Sequence, residues 1–279
     1  MSIQWPLVVF TVLAGTGAAL YAAAIIGYLG RKPAAGRLSE RSVLVMSVVS
    51  IVLLIAGGTA SAFHLSHVER MLKALNHPTS GIFMEALFLG ILVVLIAVFV
   101  VVVRRRQGEV STSVKAVGAI GAVIALAYLF ILGYSYMMPA RPAWNTPLLT
   151  LTYAGTAASS GFALYLLLTG AFHEEKAVSS FAGTMLGVAA AASTVVALAY
   201  AIGYGGLFGD ALTLFWICPV LLGSVVPAVC GFAARRYPER TVAIGAVAFA
   251  CALAGCVGAR AAMWLAGEAV KNMHALPRY

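Results

Sequence analysis

The chain alternates long apolar segments with short polar segments from one end to the other. A helix needs about 20 consecutive apolar residues to cross a bilayer. Such segments predict eight helices, at about residues 6–30, 42–63, 81–103, 114–137, 147–170, 178–203, 211–234 and 241–265. Because lipid offers a backbone no hydrogen-bond partners, lipid-facing runs of this kind must be helical. The pattern therefore predicts an all-α polytopic membrane protein, with residues 1–279 forming a single integral membrane domain.

The composition supports the same class. Hydrophobic residues make up 62% of the chain and charged residues only 10%, whereas a soluble domain is about a quarter charged. A formal net charge of +9 could indicate binding to nucleic acid. The basic residues, however, lie in short loops between apolar runs, where they indicate topology and contact with anionic lipid. We therefore predict membrane lipid, and no nucleic acid, as a partner.

The distribution of Lys and Arg predicts the orientation. The loops after the first, third, fifth and seventh helices hold most of them, namely Arg31, Lys32, Arg37, Arg41, Arg104, Arg105, Arg106, Lys115, Lys176, Arg235, Arg236 and Arg240. The termini and the remaining loops hold Arg70, Lys73, Arg141, Lys271 and Arg278. Basic loops stay in the cytoplasm. We therefore expect both termini on the outer, periplasmic side.

A weak internal sequence similarity suggests two parallel four-helix halves. Ala14-Gly-Thr16 in the first helix is echoed by Ala154-Gly-Thr156 in the fifth. The first and fifth helices would both start outside, which is the arrangement that parallel repeats produce.

Candidate ligands for metals or haem do not form a recognisable set. The four cysteines, Cys218, Cys230, Cys251 and Cys256, match no cluster-binding spacing. Among the five histidines, no pair lies on facing spans at matching depth, as a transmembrane haem would need. We therefore expect no haem, metal or iron–sulfur cluster in this chain.

Three ionisable residues lie within or at the ends of predicted spans, where charge is expensive and usually functional. His64 ends the second helix, Glu85 lies one turn into the third, and Arg260 lies deep in the eighth. One loop joins the second and third helices, so His64 and Glu85 share the outer face. Apolar residues recur in that loop at helical spacing, namely Leu65, Val68, Met71, Leu72 and Leu75. They predict a short interfacial helix that covers a cleft between the ends of the second and third helices.

A histidine and a carboxylate at headgroup depth suit the oxidation of a lipid-soluble quinol, which releases two electrons and two protons. His64 would accept a hydrogen bond and a proton from a ring hydroxyl, and Glu85 would pass a proton to water. Structural roles remain open from spacing alone. Glu85 could be an anion near the positive start of its helix, and His64 could bond spare carbonyls at the end of its helix.

Four short motifs carry a resemblance to a known family. They are Trp5-Pro-Leu-Val-Val-Phe-Thr11, Ala60-Ser-Ala-Phe-His64-Leu with a Glu about twenty residues later, Arg141-Pro-Ala-Trp-Asn-Thr-Pro147, and Leu253-Ala-Gly followed by Gly258-Ala-Arg260. In their order and spacing, over the whole chain, they resemble the membrane-anchor subunit of bacterial dimethyl sulfoxide reductases. That family is related to the membrane subunit of polysulfide reductase.

The resemblance implies a role in anaerobic respiration at the bacterial inner membrane. Such anchors hold a molybdopterin catalytic subunit and a four-cluster iron–sulfur subunit, and they oxidise menaquinol to supply electrons. His64 and Glu85 match the family's quinol-site residues, and Arg260 is expected to support that site. The chain departs from the family in three places. Ser66 and Val68 stand after His64 where the family usually has Gly and Pro, Met84 stands where an Arg usually precedes the glutamate, and Cys256 replaces a carboxylate that commonly precedes the Arg.

Two other functions remain open. A secondary transporter would need inverted repeats or a pair of broken helices, neither of which the sequence shows. A passive anchor would hold its partners without quinol chemistry. The loop around Trp144 has two interpretations as well: it supports the site or docks the cluster subunit, or its Trp simply anchors the loop at the lipid interface.

Overall fold

A computed structural model describes residues 3–63, 80–107 and 109–275, and every regular element in these ranges is helical. The long helices are α1 Trp5–Leu29, α2 Glu40–Ala62, α3 Gly81–Arg105, α4 Thr112–Tyr134, α5 Pro147–Ala171, α6 Lys176–Tyr204, α7 Ala211–Arg236 and α8 Thr241–Ala275. Short 3-10 turns occupy Pro33–Ala35, Gly205–Leu207 and Pro238–Arg240.

The described ranges contain eight helices long and apolar enough to cross a membrane, which confirms the predicted number and the all-α class. The protein is therefore a multi-pass membrane protein. Helix α8 continues to Ala275, beyond the predicted end at residue 265, because a polar but helix-forming segment follows its apolar run. The outer location of the termini and the two four-helix halves stay predictions.

Helices α1 and α5 form the centre of the bundle and are its two most buried spans. Helix α1 packs against α2, α4 and α5. Helix α5 packs against α4, α6 and α8 as well, and α7 lies between α6 and α8. The lipid-exposed surface is thus carried mainly by the other helices, such as α3, which exposes large apolar side chains from Ile82 to Val101.

The contact between α1 and α5 brings two backbones together. A Cβ added at Gly161 of α5 would lie 2.7 Å from both the Leu20 nitrogen and the Thr16 oxygen of α1. Beside it, the Thr16 and Ser160 hydroxyls form a hydrogen bond of 2.7 Å. Small residues allow helices to approach closely where lipid supplies no hydrophobic driving force. Shape and a buried hydrogen bond therefore fix this contact.

The middle of α7 is not a regular α-helix. Its α-helical ends, Ala211–Phe215 and Val226–Arg236, flank a π-helical segment, Trp216–Val225, that contains Pro219. Proline lacks an N–H and its ring crowds the preceding turn, and the wider π turn relieves that crowding. The Ser224 hydroxyl donates to the Pro219 carbonyl at 2.8 Å. A hydropathy pattern predicts this span but not its change of pitch.

The bundle has two chemically different ends. The first, which we call the Glu85 end, brings together the starts of α1, α3 and α5, the end of α4 and the region of α8 around Met263. The second, which we call the basic end, holds the loops after α1, α3, α5 and α7. There the Ser42 hydroxyl donates to Glu174 at 2.5 Å and ties the start of α2 to the α5–α6 loop.

Replacing Gly161 with alanine should destabilise the bundle, because the new methyl group would overlap the α1 backbone. Overpacking of this kind costs about 1–3 kcal/mol. Gly90→Ala is the matched control, since a Cβ at Gly90 meets nothing within 4 Å. Thermal unfolding of the detergent-purified variants should show a lower midpoint for Gly161→Ala only. Equal midpoints would contradict the close α1–α5 contact.

Candidate functional site

Glu85 is a buried carboxylate at the first turns of α3. The helix begins at Gly81 because the Ser80 hydroxyl accepts a hydrogen bond from the Phe83 N–H at 3.2 Å and caps it. Glu85 is only 8% exposed. Ser135, at the end of α4, donates its hydroxyl hydrogen to Glu85 Oε1 at 2.5 Å. The carboxylate therefore accepts its hydrogen bond from a neutral hydroxyl group.

The approach of α3 to α4 depends on a glycine. A Cβ added at Gly81 would lie 2.7 Å from the Ser135 Cβ and 3.0 Å from its Cα. The start of α3 thus rests directly on the end of α4, which brings the Ser135 hydroxyl within reach of Glu85. This pairing is what antiparallel neighbours joined by a short loop produce at one end of a bundle.

Tyr136 follows Ser135 and lies at the centre of an aromatic cluster. Its ring centroid is 5.6 Å from that of Tyr153, 6.3 Å from Trp264 and 6.4 Å from Trp144. Burial raises the pKa of Tyr136 well above its ordinary value, the charge of Glu85 raises this pKa further, and the charge of Arg260 lowers it. The phenol therefore stays neutral, and two ionisable residues of opposite sign act on it.

Arg260 is fully buried, with 0% of its surface exposed. Its Nη1 donates to the Thr156 hydroxyl at 2.6 Å and to the Cys256 carbonyl at 3.2 Å. Its Nη2 donates to the Tyr153 carbonyl at 3.2 Å, and its guanidinium carbon lies 4.3 Å from the centre of the Tyr153 ring. Within the described part of the chain, Nε has no hydrogen-bond partner. Neutral acceptors and a π face thus surround this cation.

Trp144 attaches the α4–α5 loop to α8. The side chain is 2% exposed, its indole N–H donates to the Met263 carbonyl at 2.9 Å, and its ring lies 5.2 Å from that of Trp264. The guanidinium carbon of Arg141 sits 4.2 Å from the centre of the Trp144 ring. The loop is therefore fixed to protein rather than to the lipid interface, which favours the interpretation that it supports the site.

Two of the three sequence-predicted site residues share this end of the bundle. Glu85 and Arg260 both act on Tyr136, and the Tyr153 ring contacts both the Tyr136 ring and the Arg260 guanidinium. His64 lies outside the described residues. So does the predicted interfacial helix, with its apolar positions Leu65, Val68, Met71, Leu72 and Leu75.

Sequence reasoning missed the partners of these charges, namely Ser135, Tyr136, Tyr153 and Thr156. The only signal was the presence of polar and aromatic residues near the ends of α4 and α5. Such residues are common at the ends of spans, and their partners are far away in sequence. Only the packing of α5 against α8, and of α3 against α4, shows which of them meet.

Exposed apolar side chains occur at the start of α3 and just after the end of α2. Ile82 and Leu87 of α3 are 54% and 41% exposed, and Phe63, just after α2, is 78% exposed. In a bilayer these side chains contact lipid. The start of α3 thus carries both a buried carboxylate and exposed apolar side chains.

Groups that could hold a metal ion were sought across the described ranges. No cluster of three or more His, Cys, Asp or Glu side chains occurs in them. The four cysteines are unpaired thiols. The chemistry available at the Glu85 end is thus that of a carboxylate, a hydroxyl, a cation and aromatic rings.

Comparison with known proteins identifies one family. A family model described as the DMSO reductase anchor subunit (DmsC) matches residues 1–203. The matched segment runs from α1 into α6 and includes positions 64 and 85, whereas Arg260 lies beyond it. No curated protein matches the chain.

The Arg260 hydrogen bonds predict a stability effect at Thr156. Thr156→Val keeps the side-chain shape but removes one of the two acceptors of the buried Arg260 Nη1, and an unsatisfied buried hydrogen-bonding group costs about 1–3 kcal/mol. Thr184→Val is the matched control, because the Thr184 hydroxyl bonds only its own helix, at Ser180, at 3.0 Å. Thermal unfolding in detergent should separate the two variants. An equal loss of midpoint in both would contradict the role of Thr156.

Proposed function

We propose that this chain, which belongs to the DMSO reductase anchor subunit family, oxidises menaquinol at the Glu85 end and passes the electrons to an iron–sulfur partner subunit. The family provides the membrane anchor of a DMSO reductase complex, and the chain is a multi-pass membrane protein. Quinol oxidation is the chemistry that would make such an anchor an electron-transfer subunit rather than a passive one.

The observation that carries the proposal is the buried Glu85 carboxylate held by Ser135 beside a lipid-facing apolar surface. Menaquinol travels in lipid and must lose two protons when it loses two electrons. A carboxylate with one neutral hydrogen-bond donor retains lone pairs on both oxygens to accept such a proton. Glu85 is thus placed where a lipid-soluble quinol head would meet a proton acceptor.

His64 is the proposed second acceptor. Helix α2 ends at Ala62 with Phe63 as its C-cap, and His64 is the next residue of the sequence. An imidazole with a pKa near neutrality can accept a hydrogen bond and a proton from a ring hydroxyl. We propose that His64 binds and deprotonates one quinol hydroxyl and that Glu85 receives the other proton.

Arg260 has a supporting role in this proposal. A fully buried cation held by neutral acceptors keeps a positive potential in the low-dielectric interior. That potential favours the loss of protons from a nearby quinol and stabilises the negative charge of Glu85. Tyr136, on which both charges act, lies within the field of each.

The orientation and the partners follow from the same proposal. We propose that the Glu85 end and both termini face the periplasm of a bacterial inner membrane, since the basic loops lie at the other end. The single membrane domain of residues 1–279 would consist of two four-helix halves, α1–α4 and α5–α8. The iron–sulfur subunit, carrying the molybdopterin catalytic subunit, would dock at the Glu85 end because electron transfer to a cluster requires a short distance.

Removing either proton acceptor should abolish quinol oxidation without detaching the partners. We expect His64→Ala and Glu85→Gln to lower the rate of quinol-analogue oxidation by about 100-fold or more in membranes that hold the whole complex. Glu109→Gln is the matched control, because Glu109 is exposed in the α3–α4 loop at the basic end. Partner attachment is measured in the same membranes.

Other results would redirect the assignment. Native rates in both variants would show that these residues are structural and that the proposed site is wrong. Attached partners with no quinol oxidation in the native complex would indicate a passive anchor. Solute uptake by vesicles that hold this chain alone would instead favour a secondary transporter.

A further inference from the structure

We propose that Ser135 is the relay through which Glu85 passes its proton to water. This inference rests on the proposed function, in which Glu85 receives a proton from quinol. Ser135 contacts Glu85 and not the substrate, so its role is to position the carboxyl group and to transmit its proton.

The Ser135 hydroxyl has two acceptors within reach. Its oxygen lies 2.5 Å from Glu85 Oε1 and 3.5 Å from the Leu132 carbonyl of its own helix. A hydroxyl has one hydrogen to donate and two lone pairs that accept. When Glu85 is ionised, the hydrogen points to the carboxylate. When Glu85 is protonated, the carboxyl hydrogen points to Ser135 Oγ, and the serine hydrogen turns to Leu132.

The Glu85–Ser135 hydrogen bond can therefore form in both protonation states of Glu85. A buried donor or acceptor left without a partner costs about 1–3 kcal/mol. A partner that could only donate would stabilise the ionised carboxylate and oppose protonation. A rotating hydroxyl serves both states, which is the property that a residue next to a cycling proton acceptor needs.

Ser135 is also more exposed than the Glu85 carboxyl group whose proton it would pass on. Glu85 is buried, Ser135 is half-buried, and its neighbour Tyr134 is 67% exposed. The Ser135 backbone N–H is bonded to the Ile131 carbonyl at 3.1 Å, so the residue is fixed at the end of α4. The close contact with Gly81 holds the two helix ends together at this point. The hydroxyl thus joins the buried carboxyl group to a half-buried residue at the end of α4.

The relay is balanced in atoms and charge. The Glu85 O–H bond breaks, and that proton bonds to Ser135 Oγ. The Ser135 hydrogen turns from the Leu132 carbonyl to a water molecule. The Ser135 O–H bond breaks, this hydrogen bonds to the water to give hydronium, and the new hydroxyl rotates back towards the carboxylate. Serine ends as it began, Glu85 is ionised again, and one proton has reached water. No group is oxidised or reduced in this step.

The test uses steady-state oxidation of a quinol analogue by the assembled complex, in H₂O and in D₂O. We expect Ser135→Ala to lower kcat roughly tenfold to a hundredfold, at the lower end of what proton-transfer groups contribute. KM should stay unchanged, and the solvent isotope effect on kcat should increase because proton release becomes rate-limiting. Ser135→Cys, a weaker hydrogen-bond donor and acceptor, should fall between serine and alanine.

Ser111→Ala is the matched control. Ser111 caps the other end of the same helix by accepting from the Val114 N–H at 3.5 Å, at the basic end of the bundle. Its loss removes a hydroxyl from α4 without touching Glu85. We expect a native kcat and a native isotope effect, with partners attached as in the unmodified complex.

The outcomes separate the relay from the function on which it rests. If Glu85→Gln is inactive while Ser135→Ala keeps a native kcat and isotope effect, the relay is overturned and the proposed function stands. If Ser135→Ala loses activity with an unchanged isotope effect, its role is steric and the relay is likewise overturned. Native activity in Glu85→Gln overturns both. If Ser135→Ala does not assemble, Ser135→Cys is judged by the same criteria.

Discussion

The close packing of α1 against α5 is the contact on which the rest of the bundle depends. At Gly161 the two backbones meet, and the Thr16–Ser160 hydrogen bond joins them in the interior. Lipid is as apolar as the side chains, so close approach and buried hydrogen bonds must supply the attraction between helices. Every other span packs on this central pair or on a helix that contacts it. The bundle is therefore organised from the inside, with its large apolar side chains left to face lipid.

The same central helix connects the packing to the site. Helix α5 supplies the Thr156 hydroxyl, the Tyr153 carbonyl and the Tyr153 ring that surround Arg260. Its preceding loop carries Tyr136, on which Glu85 and Arg260 act with opposite sign. Charges are expensive in a membrane unless polar neighbours or an opposite charge compensate them. One end of the bundle thus holds a carboxylate and a cation, each bonded to neutral groups.

The sequence predicts the structural features that are determined within a single segment of the chain. Hydropathy predicted all eight spans of the described ranges, and the expense of buried charge singled out Glu85 and Arg260. It did not predict features that depend on two segments: the Ser135 hydroxyl meets Glu85 only because Gly81 lets α3 rest on α4, and Thr156 meets Arg260 only because α5 packs on α8. The π segment of α7 was missed for another reason, since Pro219 changes the helical pitch without changing the hydropathy. The position of His64 relative to these groups remains a prediction.

The most direct test of the account is to locate the quinol. A photoreactive menaquinone analogue would be reduced, bound to the assembled complex and cross-linked, and the labelled peptides would be identified by mass spectrometry with and without excess menaquinol. The account predicts competitive labelling of the start of α3, within residues 80–90, and of the end of α4 with the segment that follows it, within residues 128–140. Competitive labelling confined to the loops of the basic end would contradict it.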